Sequence, residues 1–225
     1  PAGFYYKTFM WPPSFWYKIY EPFIRMAAGF GEASIKHDKE RYEHKYEYCD
    51  LLITGSGPSG LASAYAAAKN GARVILAEDK PRFGGSLLTS DVNIGNQTGV
   101  EWTEKIIAEL KSMPNVTVKN RSQVFGYYDH NMLVMSERIS DHLPKTQKYL
   151  PKQRLWYIRA NEVLISSGSI ERPLVFGNND TPGVMLSSAA KEYMKVYGVL
   201  VGKKPLIFTN NDSGYETAIE FKKNG

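Results

Sequence analysis

Residues 51–78 read LLITGSGPSGLASAYAAAKNGARVILAE. An apolar run breaks into three glycines, resumes as an alanine-rich stretch and ends in a second apolar run. Gly55, Gly57 and Gly60 have the spacing GxGxxG. The pattern predicts a buried parallel strand at Cys49–Thr54, a helix over Pro58–Asn70 stopped at Gly71, and a second strand at Arg73–Ala77. Together these form a βαβ unit shaped to hold a dinucleotide. Gly55 allows the turn out of the strand, Gly57 lets the backbone approach a pyrophosphate, and Gly60 lets the helix pack closely on the strand. The helix start adds free N–H groups and a partial positive charge, worth ~0.3–1 kcal/mol to a phosphate. Leu61, Ala62, Tyr65 and Ala68 are expected on one helix face, with Ala64 small enough for tight packing. Glu78 ends the second strand, where a carboxylate grips the adenosine ribose hydroxyls and repels a 2′-phosphate.

Composition narrows the class. The chain has 225 residues, of which 43% are hydrophobic and 23% charged, as in a globular protein. Its net charge of +5 is spread along the chain, so a nucleic-acid partner is not expected. The single cysteine, Cys49, excludes an internal disulfide framework, a multi-cysteine metal site and a flavin disulfide reductase. Cys49 itself is expected to serve packing. No signal peptide and no bilayer-length apolar run is visible, so a cytoplasmic protein without a membrane partner is expected. The chain starts at Pro1 and ends at FKKNG, which reads as a segment of a longer polypeptide.

Three stretches surround the βαβ unit. Phe4–Phe23 is dense in aromatic residues and carries Pro12, Pro13 and Pro22. It is expected as an extended arm rather than a long helix or a membrane-surface anchor. Lys36–Tyr48 mixes both charges and reads as a solvated helix or linker, with His37 and His44 exposed. After the unit, RFGGSLL at 82–88 is a turn that can pass close to a ligand. A helix is expected at Trp102–Met113, ended by Pro114, and a strand at Val116–Val118. QVFGYYD and NMLVMSE form a hairpin about His130, RLWYIRA adds a third antiparallel strand, and EVLISSG returns to a separate buried strand. His130 and His142 have no nucleophile or base partner, so no catalytic set is assigned.

The end of the chain repeats the opening theme imperfectly. PLIFT reads as a strand and Ser213–Lys223 as a helix. Aligning Gly214 with Gly60 places Thr209 at the Gly55 position, Asn211 at the Gly57 position and Ala218 at the Ala64 position. The packing residues are kept while the two phosphate-side glycines are replaced. The expected fold class is therefore α/β: a Rossmann-like domain with a parallel sheet and an antiparallel β-meander, then the start of a second dinucleotide-type domain. The expected divisions are 1–48 (arm and linker), 49–177 (dinucleotide-binding domain) and 178–225 (second, degenerate domain).

At this point a family resemblance becomes specific. AGFYYKTFMWPPSFW, GSGPSGLA, FGGSLL, VFGYYDHN, PKQRLWYIRANEVLISSGSIERPLVFGNNDTPGVMLSSA and FTNNDSGYETA resemble the alpha subunits of heterotetrameric sarcosine oxidases. The resemblance implies two dinucleotide-type domains and a non-covalent NAD at the GxGxxG turn. It also implies a flavin-bearing beta subunit and smaller subunits as partners. The implied reaction is oxidation of sarcosine to glycine with oxygen and tetrahydrofolate. By position, Gly55, Gly57, Pro58, Ser59, Gly60, Glu78 and Asp79 would line the nucleotide. Gly85 and Ser86 would lie near its phosphates or ribose, and Val124 near the adenine. Ser166, Ser167 and Gly168 stand where such domains commonly have Ala-Thr-Gly. Arg172 would anchor a phosphate or pair with a neighbouring acid. Two other readings stay open: FAD in this turn, as in related amine and amino-acid dehydrogenases, and a non-catalytic scaffold subunit.

Overall fold

The computed structural model describes residues 11–29, 31, 33–144 and 149–224. The chain forms two compact units, one ending at Lys39 and one beginning at Glu40. In the first, Trp16–Tyr20 is a single π-helical turn that runs into α1, Glu21–Ala27. This corrects the extended arm over those residues. Pro22 lies in the first turn of α1, directly after the π-helical turn. Phe4–Met10 lie outside the described residues.

The second unit carries the site. Its elements are β1 Tyr42–Thr54, α2 Pro58–Lys69, β2 Val74–Ala77, the short pair β3 Asn93–Ile94 and β4 Gln97–Thr98, α3 Gly99–Ser112, β5 Val116–Lys119, β6 Ser122–Tyr128, β7 Met132–Arg138, β8 Gln153–Ile165, α4 Ser187–Tyr197 and α5 Ser213–Lys223. Six strands form one sheet in the order β5-β2-β1-β8-β7-β6. β5, β2, β1 and β8 are parallel, and β6, β7 and β8 form the antiparallel meander. Lys119 of β5 and Glu137 of β7 are 3.2 Å apart although three strands lie between them in the sheet order. The sheet therefore curls strongly, in keeping with the twist of neighbouring strands.

Three expectations about elements are corrected. Residues 42–48 are neither helix nor linker: they extend β1, paired in register with Gln153–Arg159 of β8. Alternation explains why. Tyr42, His44, Tyr46 and Tyr48 share one face, on which Tyr46 and His44 stack on Tyr157. The other face carries Glu43, which accepts two hydrogen bonds from Arg154 at 2.9 and 3.0 Å. RLWYIRA and EVLIS are one continuous strand, β8, pairing with β7 on one edge and β1 on the other. PLIFT forms no strand and leaves Leu206 96% exposed. No strand pairs with it among the described residues, and a strand is defined by its partner's hydrogen bonds.

The core has two layers because alternate strand residues point to opposite faces. Ile53, Val74 and Leu76 pack on Leu61, Ala64 and Ala68 of α2 and on Ile106, Ile107 and Leu110 of α3. Ala62 is exposed rather than on that face. Leu52, Ile75 and Ala77 pack on Leu133, Met135, Trp156 and Ile158 of the meander. Cys49 lies in this second layer at 1% exposure, and burial, reinforced by Asp50, pushes its thiol up to about 12. α3 begins three residues earlier than its apolar pattern suggests, because Thr98 and Glu101 form a capping box. The Thr98 hydroxyl accepts from the Glu101 N–H at 3.2 Å, and the Glu101 carboxylate accepts from the Thr98 N–H at 2.8 Å. Thr98→Ala should lower stability by about 1 kcal/mol. Chemical denaturation with an unchanged transition slope would measure it.

Candidate functional site

The β1–α2 turn is held by contacts that leave no room for side chains at two of its glycines. Gly55 has φ +101, and a Cβ there would lie 2.3 Å from the Ser166 carbonyl oxygen. A Cβ at Gly60 would lie 2.0 Å from the Gly55 carbonyl oxygen. Both close approaches arise because the turn is wedged between α2 and the chain leaving β8, where the Ser166 N–H donates to the Thr54 carbonyl at 2.8 Å.

Gly57 is different. Its φ is −66°, and a Cβ there would meet nothing within 4 Å. Neither conformation nor packing within the chain asks for glycine at this position. It borders the start of α2, which no side chain caps. Among the described residues, the other three α-helices of the unit have side-chain acceptors near their starts: Thr98 for α3, Glu171 for α4 and Asn211 for α5. At α2, Pro58 lacks an N–H, and the Ser59 and Gly60 N–H groups have no partner among the described residues. Open space over an uncapped helix start is the geometry that a phosphate group fits.

The FGG turn closes against this space. Gly84 (φ +124) donates its N–H to the Ser56 carbonyl at 3.1 Å and lies 3.3 Å from the Ser56 hydroxyl. A Cβ at Gly85 would lie 2.9 Å from the Gly57 Cα. Gly85 and Ser86 are exposed beside the turn.

Glu78 lies beyond the end of β2 and is 6% exposed. Its Oε2 accepts from the Ser56 N–H at 2.9 Å and from the Ser56 hydroxyl at 2.5 Å. Its Oε1 accepts from the Lys80 N–H at 3.0 Å. Burial, then the Asp79 carboxyl beside it, push Glu78 above the ordinary glutamate range; the Ser56 and Lys80 donors act against them. The structure thus brings together Gly55, Gly57, Pro58, Ser59, Gly60, Glu78, Asp79, Gly85 and Ser166, with Ser86 and Ser167 next in sequence to members of the group. Val124 packs against the meander-side core, which includes Ala77. Gly168 is exposed with φ +73. Arg172 is exposed and makes no hydrogen bond or ion pair among the described residues. Its neighbour Glu171 is the ordered acid: it accepts from the Ser187 and Ser188 N–H groups at 3.3 and 2.7 Å. Burial opposes ionisation of Glu171, but these donors hold its carboxyl below the ordinary range.

Sequence reasoning missed Ser56, Glu171 and the struts that tie α4 to the site. Lys80 pairs with Glu192 at 2.8 Å, and Asp91 pairs with Lys195 of α4 and Lys223 of α5 at 2.7 and 2.9 Å. For the struts the available signal was charge at suitable positions, which carries no partner information.

The second turn has the register expected from the alignment but a different filling. A Cβ at Gly214 would lie 2.6 Å from the Thr209 side chain, the counterpart of the Gly60–Gly55 approach. Asn211, at the Gly57 position, turns its Oδ1 onto the start of α5, accepting from the Ser213 N–H at 3.0 Å and the Ser213 hydroxyl at 2.5 Å. The chain's own side chain satisfies the donor that a phosphate would meet in the first turn.

Residues 50–145 match the family described as FAD dependent oxidoreductase. Along its whole length, this chain is similar to sarcosine oxidase alpha subunits. It is 48% identical over 224 residues to sarcosine oxidase subunit alpha of Rhizobium meliloti (strain 1021), covering 100% of this chain and 23% of that one. It is 37% identical over 199 residues to the same subunit of Corynebacterium sp. (strain P-1), covering 88% and 21%. The chain thus spans less than a quarter of these relatives. Among solved structures, L-proline dehydrogenase from P. horikoshii superposes with a TM-score of 0.64 at 20% identity, covering 85% of this chain and 37% of that one. That likeness shows the fold: mixed α/β with a mostly parallel sheet.

The two glycine roles predict opposite outcomes. Gly60→Ala should cost about 3 kcal/mol of stability by driving a methyl into backbone. Gly57→Leu should leave stability within about 0.5 kcal/mol, as expected of an open position, while blocking dinucleotide binding. Thermal melts paired with calorimetric titration of both variants check this.

Proposed function

We propose that the β1–α2 turn holds the pyrophosphate of an adenine dinucleotide, and that the chain is the dinucleotide-binding part of an alpha subunit in a sarcosine oxidase-type complex. The carrying observation is Gly57, an open glycine at the uncapped start of α2, facing the FGG turn and near the buried acid Glu78. In this reading Gly57, Pro58, Ser59 and Gly60 meet the phosphates, with Gly55 shaping the turn. Glu78, with Asp79 beside it, takes the ribose. Gly85 and Ser86 cover the phosphates or ribose, Val124 lies toward the adenine, and Ser166, Ser167 and Gly168 close the far side. Arg172 is retained as a phosphate anchor. Residues 49–177 form the dinucleotide-binding domain and 178–225 begin a second one whose turn is filled by Asn211. The expected location is cytoplasmic.

NAD is the first assignment, because the similarity to sarcosine oxidase alpha subunits extends over the whole chain. FAD is the second, favoured by the FAD dependent oxidoreductase match over residues 50–145. When bound, either dinucleotide supplies a centre that accepts a hydride. The chain's own residues bind and orient it, and none is assigned a catalytic role. The activity proposed for the whole complex is oxidation at a CH–NH group, sarcosine to glycine with oxygen and tetrahydrofolate. The partners are a flavin-bearing beta subunit and smaller subunits. A 2′-phosphorylated nucleotide is disfavoured by the Glu78 charge.

Two linked outcomes test Glu78. Glu78→Ala should weaken dinucleotide binding by ~1.5–3 kcal/mol, the range for a hydrogen bond to a charged group. In the unmodified protein, affinity should fall with acid, starting above the ordinary glutamate range, because the raised group protonates early. The stability dependence has the opposite sense: a raised folded pKa makes the unbound protein lose stability as pH rises through that window. Calorimetry and melting curves across the same pH series measure both. A pH-independent affinity, unchanged by Glu78→Ala, would remove Glu78 from the site.

A further inference from the structure

Ser56 occupies a position that the GxGxxG spacing leaves free, yet it is wholly buried. Four contacts converge on it, one of them the 3.3 Å approach of the Gly84 N–H to its hydroxyl oxygen. Its N–H and hydroxyl both donate to Glu78 Oε2, at 2.9 and 2.5 Å. Its carbonyl accepts from the Gly84 N–H at 3.1 Å. A carboxylate has about four acceptor positions, two on each oxygen. Ser56 fills both on Oε2, and the Lys80 N–H fills one on Oε1. The acceptor position that no donor fills is therefore on Oε1; the Asp79 carboxyl lies beside Glu78 and, when ionised, has no proton to give it.

We propose that Ser56 is a positioning residue for dinucleotide binding: it saturates one oxygen of Glu78, so that the other is presented to the adenosine ribose, and it locks the FGG turn to the same point. This rests on the dinucleotide reading above. A glutamate side chain has three rotatable bonds, and unanchored it would lose rotamer freedom on gripping the ribose. Ser56 removes that cost before the ligand arrives, which is preorganisation. The ionisable groups acting on Glu78 are the Asp79 carboxyl beside it and the Lys80 ammonium, itself paired with Glu192. The neighbouring strands contribute backbone contacts: the Glu78 N–H donates to the Lys119 carbonyl, and the Ser122 N–H to the Glu78 carbonyl. The Ser56 hydroxyl is thus the side-chain donor that favours the ionised acid.

The test uses protein freed of nucleotide, titrated with ADP-ribose and with an analogue whose adenosine ribose lacks both hydroxyls. Ser56→Ala should weaken ADP-ribose binding about tenfold, equivalent to about 1.4 kcal/mol, and leave the analogue unchanged. Its acid limb of binding should shift to higher pH. Ser56→Thr, which keeps the hydroxyl, should restore both, with melting curves checking that each variant is folded. Equal loss for both ligands makes Ser56 a general structural residue and overturns the proposal, as does no loss for either. If the unmodified protein binds the two ligands alike, Glu78 does not grip the diol and the proposal falls with that assignment. If it binds neither, the dinucleotide reading itself fails.

Discussion

The second unit depends on one close approach, the backbone of α2 against the backbone leaving β1. Gly60 brings the helix to within a methyl radius of the Gly55 carbonyl, and Gly55 in turn abuts the Ser166 carbonyl at the end of β8. Three chain segments meet there without side chains between them. That contact fixes where α2 starts beyond the end of β1, beside the open space at Gly57. The apolar layers stabilise the arrangement, but they would serve many helix placements. The glycine contact selects one.

From that point the site assembles through short links rather than long ones. Ser56 joins the turn to Glu78 and to the FGG turn, so three turns share one buried residue. Lys80 and Asp91 then carry the connection outward to α4 and α5 through ion pairs with Glu192, Lys195 and Lys223. Those pairs are partly exposed and each contributes little to stability. Their consequence is geometric: the helices that follow the dinucleotide-type fold are tied to the two loops flanking the site. The chain also separates two versions of the same turn. One has an open glycine and an uncapped helix; the other has Asn211 closed over its own helix start.

Much of this was legible in the sequence. The βαβ unit, its glycines and its acid follow from spacing, and the hairpin about His130 follows from two apolar runs separated by a short polar break. The register of the degenerate turn followed from aligning Gly214 with Gly60. What escaped did so for physical reasons. The alternation in YEHKYEY was hidden because its buried-side partners, Arg154 and Trp156, lie over a hundred positions away, and charged residues alone suggest solvent. β8 read as two strands because its neighbours differ along its length: β7 and β1 flank residues 153–159, and β1 alone pairs beyond them. PLIFT has a strand's composition, but composition cannot supply the neighbour that a ladder needs. Ser56 escaped because the motif constrains only its glycines, and a buried hydroxyl is recognised by its partner, not by its spacing.

The central claim is that this fold holds an adenine dinucleotide at the Gly57 turn. The most direct measurement is to purify the protein, denature it, and identify by mass spectrometry the nucleotide released per chain, beside the same preparation of Gly57→Leu. The account predicts one adenine dinucleotide from the unmodified protein and none from the folded variant, with colourless protein and NAD for the first assignment and yellow protein and FAD for the second. A well-folded protein releasing no dinucleotide, or a folded Gly57→Leu variant releasing as much as the original, would contradict it.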